Sequence, residues 1–169
     1  EPGFRMGREV FRSGGYEIVP LPLRDDGLDV DALAQADTGL VYVTPSHQFP
    51  TGKIMPVGQR YKLLDWAVQE DGLIIEDDYD SELRYEGRPI PALQGLDRSD
   101  RVIYLGALSK VLPFFVRISY LVLPDPLMDM YRRERSLFRQ SASVPEQCVL
   151  AEYIRSGEMR KQIRRLRRL

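Results

Sequence analysis

Apolar and polar positions along the chain alternate between two patterns. Short, nearly continuous apolar runs, "GLVYVTP" from Gly39, "LIIE" from Leu73, "RVIYLG" from Arg101 and "RISYLVLP" from Arg117, predict strands buried on both faces. Between them the apolar residues recur at helical spacing. Met6, Val10 and Phe11 predict a helix that ends at Gly14-Gly15 and is followed by an extended "YEIVPL". "RDDGLDVDALAQA" reads as a turn and a short helix. Pro56 opens a further helix, with Val57, Tyr61, Leu64, Ala67 and Val68 on one face and an end near Gly72. A polar, proline-rich excursion then leads to Arg101. The last part is predicted helical over 126–140 and 146–169, with a break around Val144-Pro145. Apolar strands separated by helices predict an α/β fold, a mostly parallel sheet with helices on both faces.

Composition narrows the picture. At 169 residues and 43% apolar content the chain can bury a sizeable core as one domain. No run approaches the roughly 18 uninterrupted apolar residues of a membrane span, and the start "EPGFRMGREV" is no secretory segment, so a cytoplasmic location without membrane contact is expected. One cysteine, Cys148, and one histidine, His47, provide neither an internal disulfide nor a zinc site, and no metal is expected. The net charge of -1 hides an asymmetry: from Arg155 onward seven basic residues face one acidic residue, leaving 17 basic and 24 acidic residues elsewhere. Met159, Ile163, Leu166 and Leu169 give that tail the spacing of an amphipathic helix with a solvated basic face; a phosphate or nucleic-acid contact is the less favoured reading. The pattern stops without a cap, and the chain starts without Met, so both ends read as cuts in a longer protein.

In sheets of this kind ligands collect outside the carboxyl ends of the strands. Three polar clusters follow three predicted strands: "TPSHQFPTG" after "LVYV", "EDDYD" after "LII" and "ALSK" after "VIYLG". Singly, each has an ordinary explanation as a solvated turn, a helix cap or a surface lysine. Together they put the sole histidine, the densest carboxylates (Glu76, Asp77, Asp78 and Asp80) and a lysine on one rim.

The blocks "VTPSHQFPTG", "EDDYDSELRYEGRPIPALQGLD", "RVIYLGALSK" and "RISYLVLP" resemble, over essentially the whole chain, the aminotransferase-like domain of MocR/GabR-type regulators. That domain has the fold of the fold-type I pyridoxal 5'-phosphate (PLP) enzymes. The resemblance implies that Lys110 carries PLP as a Schiff base, which needs an amine that can be neutral. It implies that Asp77 pairs with the protonated pyridine nitrogen. Whether Asp77 or Asp78 reaches it depends on the pleat; Asp77 is favoured. Tyr79 would donate to the phenolic oxygen, and Ser109 and Arg117 would bind the phosphate. His47 would supply a ring contact or be a hydrogen-bonded structural histidine.

The resemblance also implies what lies outside the chain. Family members draw a phosphate loop and a stacking aromatic from preceding sequence, a substrate-binding arginine from a following small domain, and DNA contacts from an N-terminal winged helix-turn-helix. Residues 1–169 would then be the central part of the large domain, with 126–169 leading towards the small domain. The whole protein would be a homodimer whose effector is a small amino compound or PLP itself.

The chain departs from the family pattern at Ala107, where a hydroxyl residue is usual, and at Phe115 and Ser119, where glycines are usual. Phe49 stands where ordinary aminotransferases carry asparagine, which suits the regulators and argues against a fully equipped transaminase. The alternatives are a class I/II aminotransferase acting on an amino acid and, more remotely, a Mg²⁺-dependent phosphohydrolase with Asp78 as nucleophile and Asp80 as acid/base. A hydrolase built on Ser46 and His47 is weaker still, since adjacent residues rarely face each other.

Overall fold

In the first helix, α1 (Arg5–Ser13), the chain stops where Gly15 adopts a left-handed φ of 86°, and the Tyr16 N–H folds back to the Phe11 carbonyl. The computed structural model describes residues 1–83, 90–112, 116–137 and 141–168. These divide into two compact units, Glu1–Asp78 with Ile90–Tyr104, and Tyr79–Pro89 with Leu105–Leu169. Phe115 lies outside the described residues.

In the first unit "YEIVPL" forms no strand. The extended pairing comes later, where β1 (Leu23–Arg24) and β2 (Gly27–Leu28) make a small antiparallel hairpin around Asp25 and Asp26, with Gly27 at φ 111°. Asp29 then caps α2 (Val30–Ala34) by accepting from the Ala32 N–H, while the Arg24 Nε–H donates to its other oxygen at 2.7 Å. The sheet follows, with β3 (Leu40–Val43), α3 (Val57–Gln69), β4 (Leu73–Asp78), the one-turn α4 (Leu93–Leu96) and β5 (Val102–Ala107). β3 and β4 are parallel, in register from Leu40 opposite Leu73 to Val43 opposite Glu76. The Ile74 N–H donates to the Arg101 carbonyl just before β5.

In-register residues of a parallel pair share a face. Val41, Val43, Ile74 and Glu76 therefore point one way, Tyr42 and Ile75 the other. α3 covers the first face, where Leu63, Ala67 and Ile74 are fully buried. α1 lies on the second, its Phe11 ring 6.2 Å from that of Tyr42. The sheet thus carries helices on both faces, as its uninterrupted apolar strands require.

The buried side of α3 differs from expectation. Leu64 and Ala67 are buried, but Val57, Tyr61 and Val68 are about half exposed, and Arg60, Leu63 and Trp66 are inside. The true stripe is Arg60, Leu63, Leu64 and Ala67, at helical spacing. Counting arginine as a surface residue turns the predicted face away from it.

In the second unit the end of β5 continues into a tight return. The Leu108 N–H donates to the Ile118 carbonyl, and a Cβ on Gly106 would come within 2.2 Å of the Tyr120 ring. Both pairs fit one antiparallel register, so β6 (Ser119–Val122) runs back along β5 and Gly106 makes room for the tyrosine. The helices α5 (Asp125–Glu134), α6 (Val144–Arg155) and α7 (Glu158–Leu166) follow. The interruption expected around Val144-Pro145 is there, residues 141–143 being non-helical with Val144 starting α6, and a second falls at Gly157, left-handed at φ 79°. Ser143 and Glu146 form a reciprocal capping box at the start of α6, and proline is well placed in a first turn, where its missing N–H costs nothing. Positions 138–140 and 169 of the expected helices lie outside the described residues. Among the described residues no helix is long and apolar enough to cross a membrane.

Candidate functional site

The acidic end of β4 is built by strand alternation. Glu76 and Asp78 project to the α3 side, and Asp77 alone projects to the α1 side. Each carboxylate has a defined partner. Glu76, fully buried, accepts from the Leu93 and Gln94 N–H groups at the start of α4, both at 2.9 Å, and lies 3.7 Å from the Arg60 guanidinium. Asp78, 4% exposed, accepts from the Tyr104 hydroxyl at 2.8 Å. Half-buried Asp77 accepts from the Tyr42 hydroxyl.

Burial dominates the electrostatics of this strand end. It pushes the Glu76 carboxyl above its ordinary range, against the pull of the Gln94 and Leu93 N–H groups and the Arg60 charge. It pushes Asp77 up as well; the Tyr42 hydrogen bond opposes it and the Asp78 charge reinforces it. A half-buried carboxylate of this kind is a good receiver for a cationic N–H.

Arg60 fastens the neighbouring rim. Fully buried, it donates to the carbonyls of Met55 at 3.1 Å, Pro45 at 2.9 Å and Pro91 at 2.9 Å. Pro45 and Met55 are also joined directly, the Met55 N–H donating to the Pro45 carbonyl at 2.9 Å. They close the loop that carries His47 and Phe49. Thr44 steadies that loop by accepting from the Phe49 N–H at 3.0 Å. His47 is exposed, with its Nε2 near Gly52, whose φ is 73°. The Phe49 ring meets Phe4 edge-on at 5.7 Å.

The remaining expected residues belong to the second unit. Tyr79 follows β4 and is half-buried. Ser109 and Lys110 are exposed in the turn after β5, and Arg117 is exposed just before β6. Among the described residues, Ser109, Lys110 and Arg117 make no hydrogen bond or ion pair. Ala107 ends β5 without a hydroxyl, and Ser119 begins β6, exposed.

Taken one by one, the residues suit PLP in chemical type: a carboxylate for a pyridinium in the first unit, and a lysine for an aldehyde with a serine and an arginine for a phosphate in the second. They fit a phosphohydrolase poorly, because Asp78, the required nucleophile, is buried on the α3 side and hydrogen-bonded to Tyr104. Arg60, Tyr42 and Tyr104 were not legible as contributors. Strand alternation in "LVYV" and "VIYLG" marks their tyrosines only once the pairing is known.

No protein-family model matches the chain. It is 46% identical over 169 residues to the HTH-type transcriptional regulator YdeL of Bacillus subtilis strain 168, and 41% identical over 169 residues to the probable rhizopine catabolism regulatory protein MocR of Rhizobium meliloti. Each alignment takes in 100% of this chain but 36% and 34% of those relatives, so the chain spans about a third of their length. Among solved structures, the kynurenine aminotransferase of Pyrococcus horikoshii, determined in complex with PMP, superposes with a TM-score of 0.91 at 29% identity, covering 99% of this chain and 44% of that one. The fold is that of the PLP-dependent aminotransferases. Within that fold, the chain aligns over essentially its whole length with HTH-type regulators, MocR among them.

Proposed function

We propose that this chain is the central part of the large domain of a MocR/GabR-type (GntR-family) transcriptional regulator, and that it binds PLP and senses an effector. One observation carries the reading: a chain with an aminotransferase fold aligns over its whole length with HTH-type regulators. DNA contact would come from a winged helix-turn-helix outside these residues, in a cytoplasmic homodimer.

Lys110 would be the point of covalent attachment, Asp77 the partner of the ring nitrogen, Tyr79 that of the phenolic oxygen, and Ser109 with Arg117 the holders of the phosphate. His47 would border the ring. PLP, when bound, supplies an electrophilic aldehyde and an electron-withdrawing ring that together capture primary amines. The chain's own residues orient and tune. Arg117 offers a planar fork suited to phosphate. Asp77, already raised by burial, gains most from a cation that shares its site. A small amino compound, or PLP itself, would act as effector by favouring one conformation of the dimer and thereby its DNA contacts.

The test is a PLP titration of the full-length gene product, followed by borohydride reduction, peptide mapping and a promoter-fragment mobility shift with and without PLP and amines. Label on Lys110 and a shift that responds to PLP or an amine are expected. Steady keto-acid production without any effect on DNA binding would favour an aminotransferase instead.

A further inference from the structure

Two anchored carboxylates flank the one proposed to meet the cofactor. Glu76 is tied to the start of α4 and faces Arg60; Asp78 is tied to Tyr104 on the adjacent strand. Both point to the α3 side of β4, so the backbone between them is held at two consecutive pleats. Asp77 cannot rotate towards α3 without breaking one of these ties. Tyr42 meets it from the other side.

Resting on the PLP-binding reading above, we propose that Asp78 and Tyr104 form a positioning pair for Asp77: their hydrogen bond sets the strand end so that the Asp77 carboxylate is aimed at the cofactor's ring nitrogen. Neither residue touches the cofactor in this arrangement. Asp78 lies on the far side of the strand and Tyr104 beside it. The arrangement is that of an outer partner orienting an inner ligand, where loss of the outer contact weakens binding while the inner group remains in place. It also gives the acidic cluster a division of labour, with Glu76 and Asp78 holding and Asp77 acting.

The readout is the ring nitrogen. In the full-length protein, the affinities for PLP and for 1-deazapyridoxal phosphate, which carries CH in place of that nitrogen, are compared in wild type, Asp77→Asn, Tyr104→Phe and Asp78→Asn. Wild type is expected to prefer PLP, and Asp77→Asn to lose the preference. Tyr104→Phe should lower it by about fivefold, the effect of one buried hydrogen bond. Asp78→Asn, whose amide oxygen still accepts from Tyr104, should keep it within about twofold. Asp78→Ala carries the same expectation as Tyr104→Phe and serves if that variant does not fold. An unchanged preference in folded Tyr104→Phe or Asp78→Ala overturns the positioning pair and leaves the PLP reading standing. No PLP binding by wild type overturns both.

Discussion

Arg60 and Glu76 face each other at 3.7 Å with both side chains withdrawn from solvent, one on α3 and the other on β4. The pair sits at the junction of the loop 45–55, the start of α4 and the acidic strand end, and it connects all three. Removing the arginine takes away the charge opposite a buried carboxylate and the guanidinium donor of the Met55, Pro45 and Pro91 carbonyls, of which Pro45 keeps the Met55 N–H. Arg60→Met should therefore cost about 3–5 kcal/mol, measured by urea unfolding, and Arg60→Lys less, because the charge opposite Glu76 remains. A cost below about 1 kcal/mol for Arg60→Met would show that the pair contributes little beyond filling space.

Glu76 gives this strand end a pH dependence with a definite sign. Burial raises its folded-state pKa above the ordinary value, so the folded chain binds this proton more tightly than the unfolded chain. Stability from this group therefore falls as pH rises from the ordinary glutamate value to the raised one, and the penalty is complete above that. The difference in urea midpoint between wild type and Glu76→Gln should move in favour of wild type as pH is lowered through that window. A difference that stays flat would mean that the buried carboxyl is not raised.

Lys110 and Arg117 should separate by chemistry. Lys110→Ala should abolish borohydride-fixed PLP on the full-length protein. Arg117→Gln should weaken PLP by about tenfold while leaving pyridoxal, which has no phosphate, unaffected. Equal weakening of both ligands would take Arg117 away from the phosphate.

Gly72 precedes β4 with no room for a side chain. A Cβ there would come within 2.7 Å of the buried Trp66 ring. Gly72→Ala should cost about 1–3 kcal/mol in chemical denaturation, since the indole is packed in the core and has little freedom to yield. A neutral substitution would show that Trp66 can move.

Much of this architecture was legible from periodicity. The four apolar runs became strands because runs bounded by turn residues leave few alternatives, and Gly14-Gly15 ended α1 because a left-handed residue was needed there. The proposed site was legible only through family resemblance and the order of its blocks, since Lys110 or Arg117 alone looks like any surface cation. What stayed hidden depended on distant partners. Arg60 reads as surface until three carbonyls converge on it. "YEIVPL" has β propensity but no neighbouring strand to pair with. Val144-Pro145 marks the break as expected, but the two residues lie inside the following helix, because Ser143 and Glu146 close the cap around them. Which of Asp77 and Asp78 faces α1 depended on the register of β3 against β4, which a single strand does not contain.

The alternation along β4 has a consequence for how this segment can change over generations. Any one of its carboxylates can be exchanged without disturbing which side the others face. Inserting or deleting one residue between Leu73 and Asp78 would instead swap the two populations, sending a holding carboxylate to the α1 side and Asp77 into the core beneath α3. The strand should accept drift in composition far more readily than drift in length, and related sequences should keep the spacing from Gly72 to Tyr79 even where its letters differ.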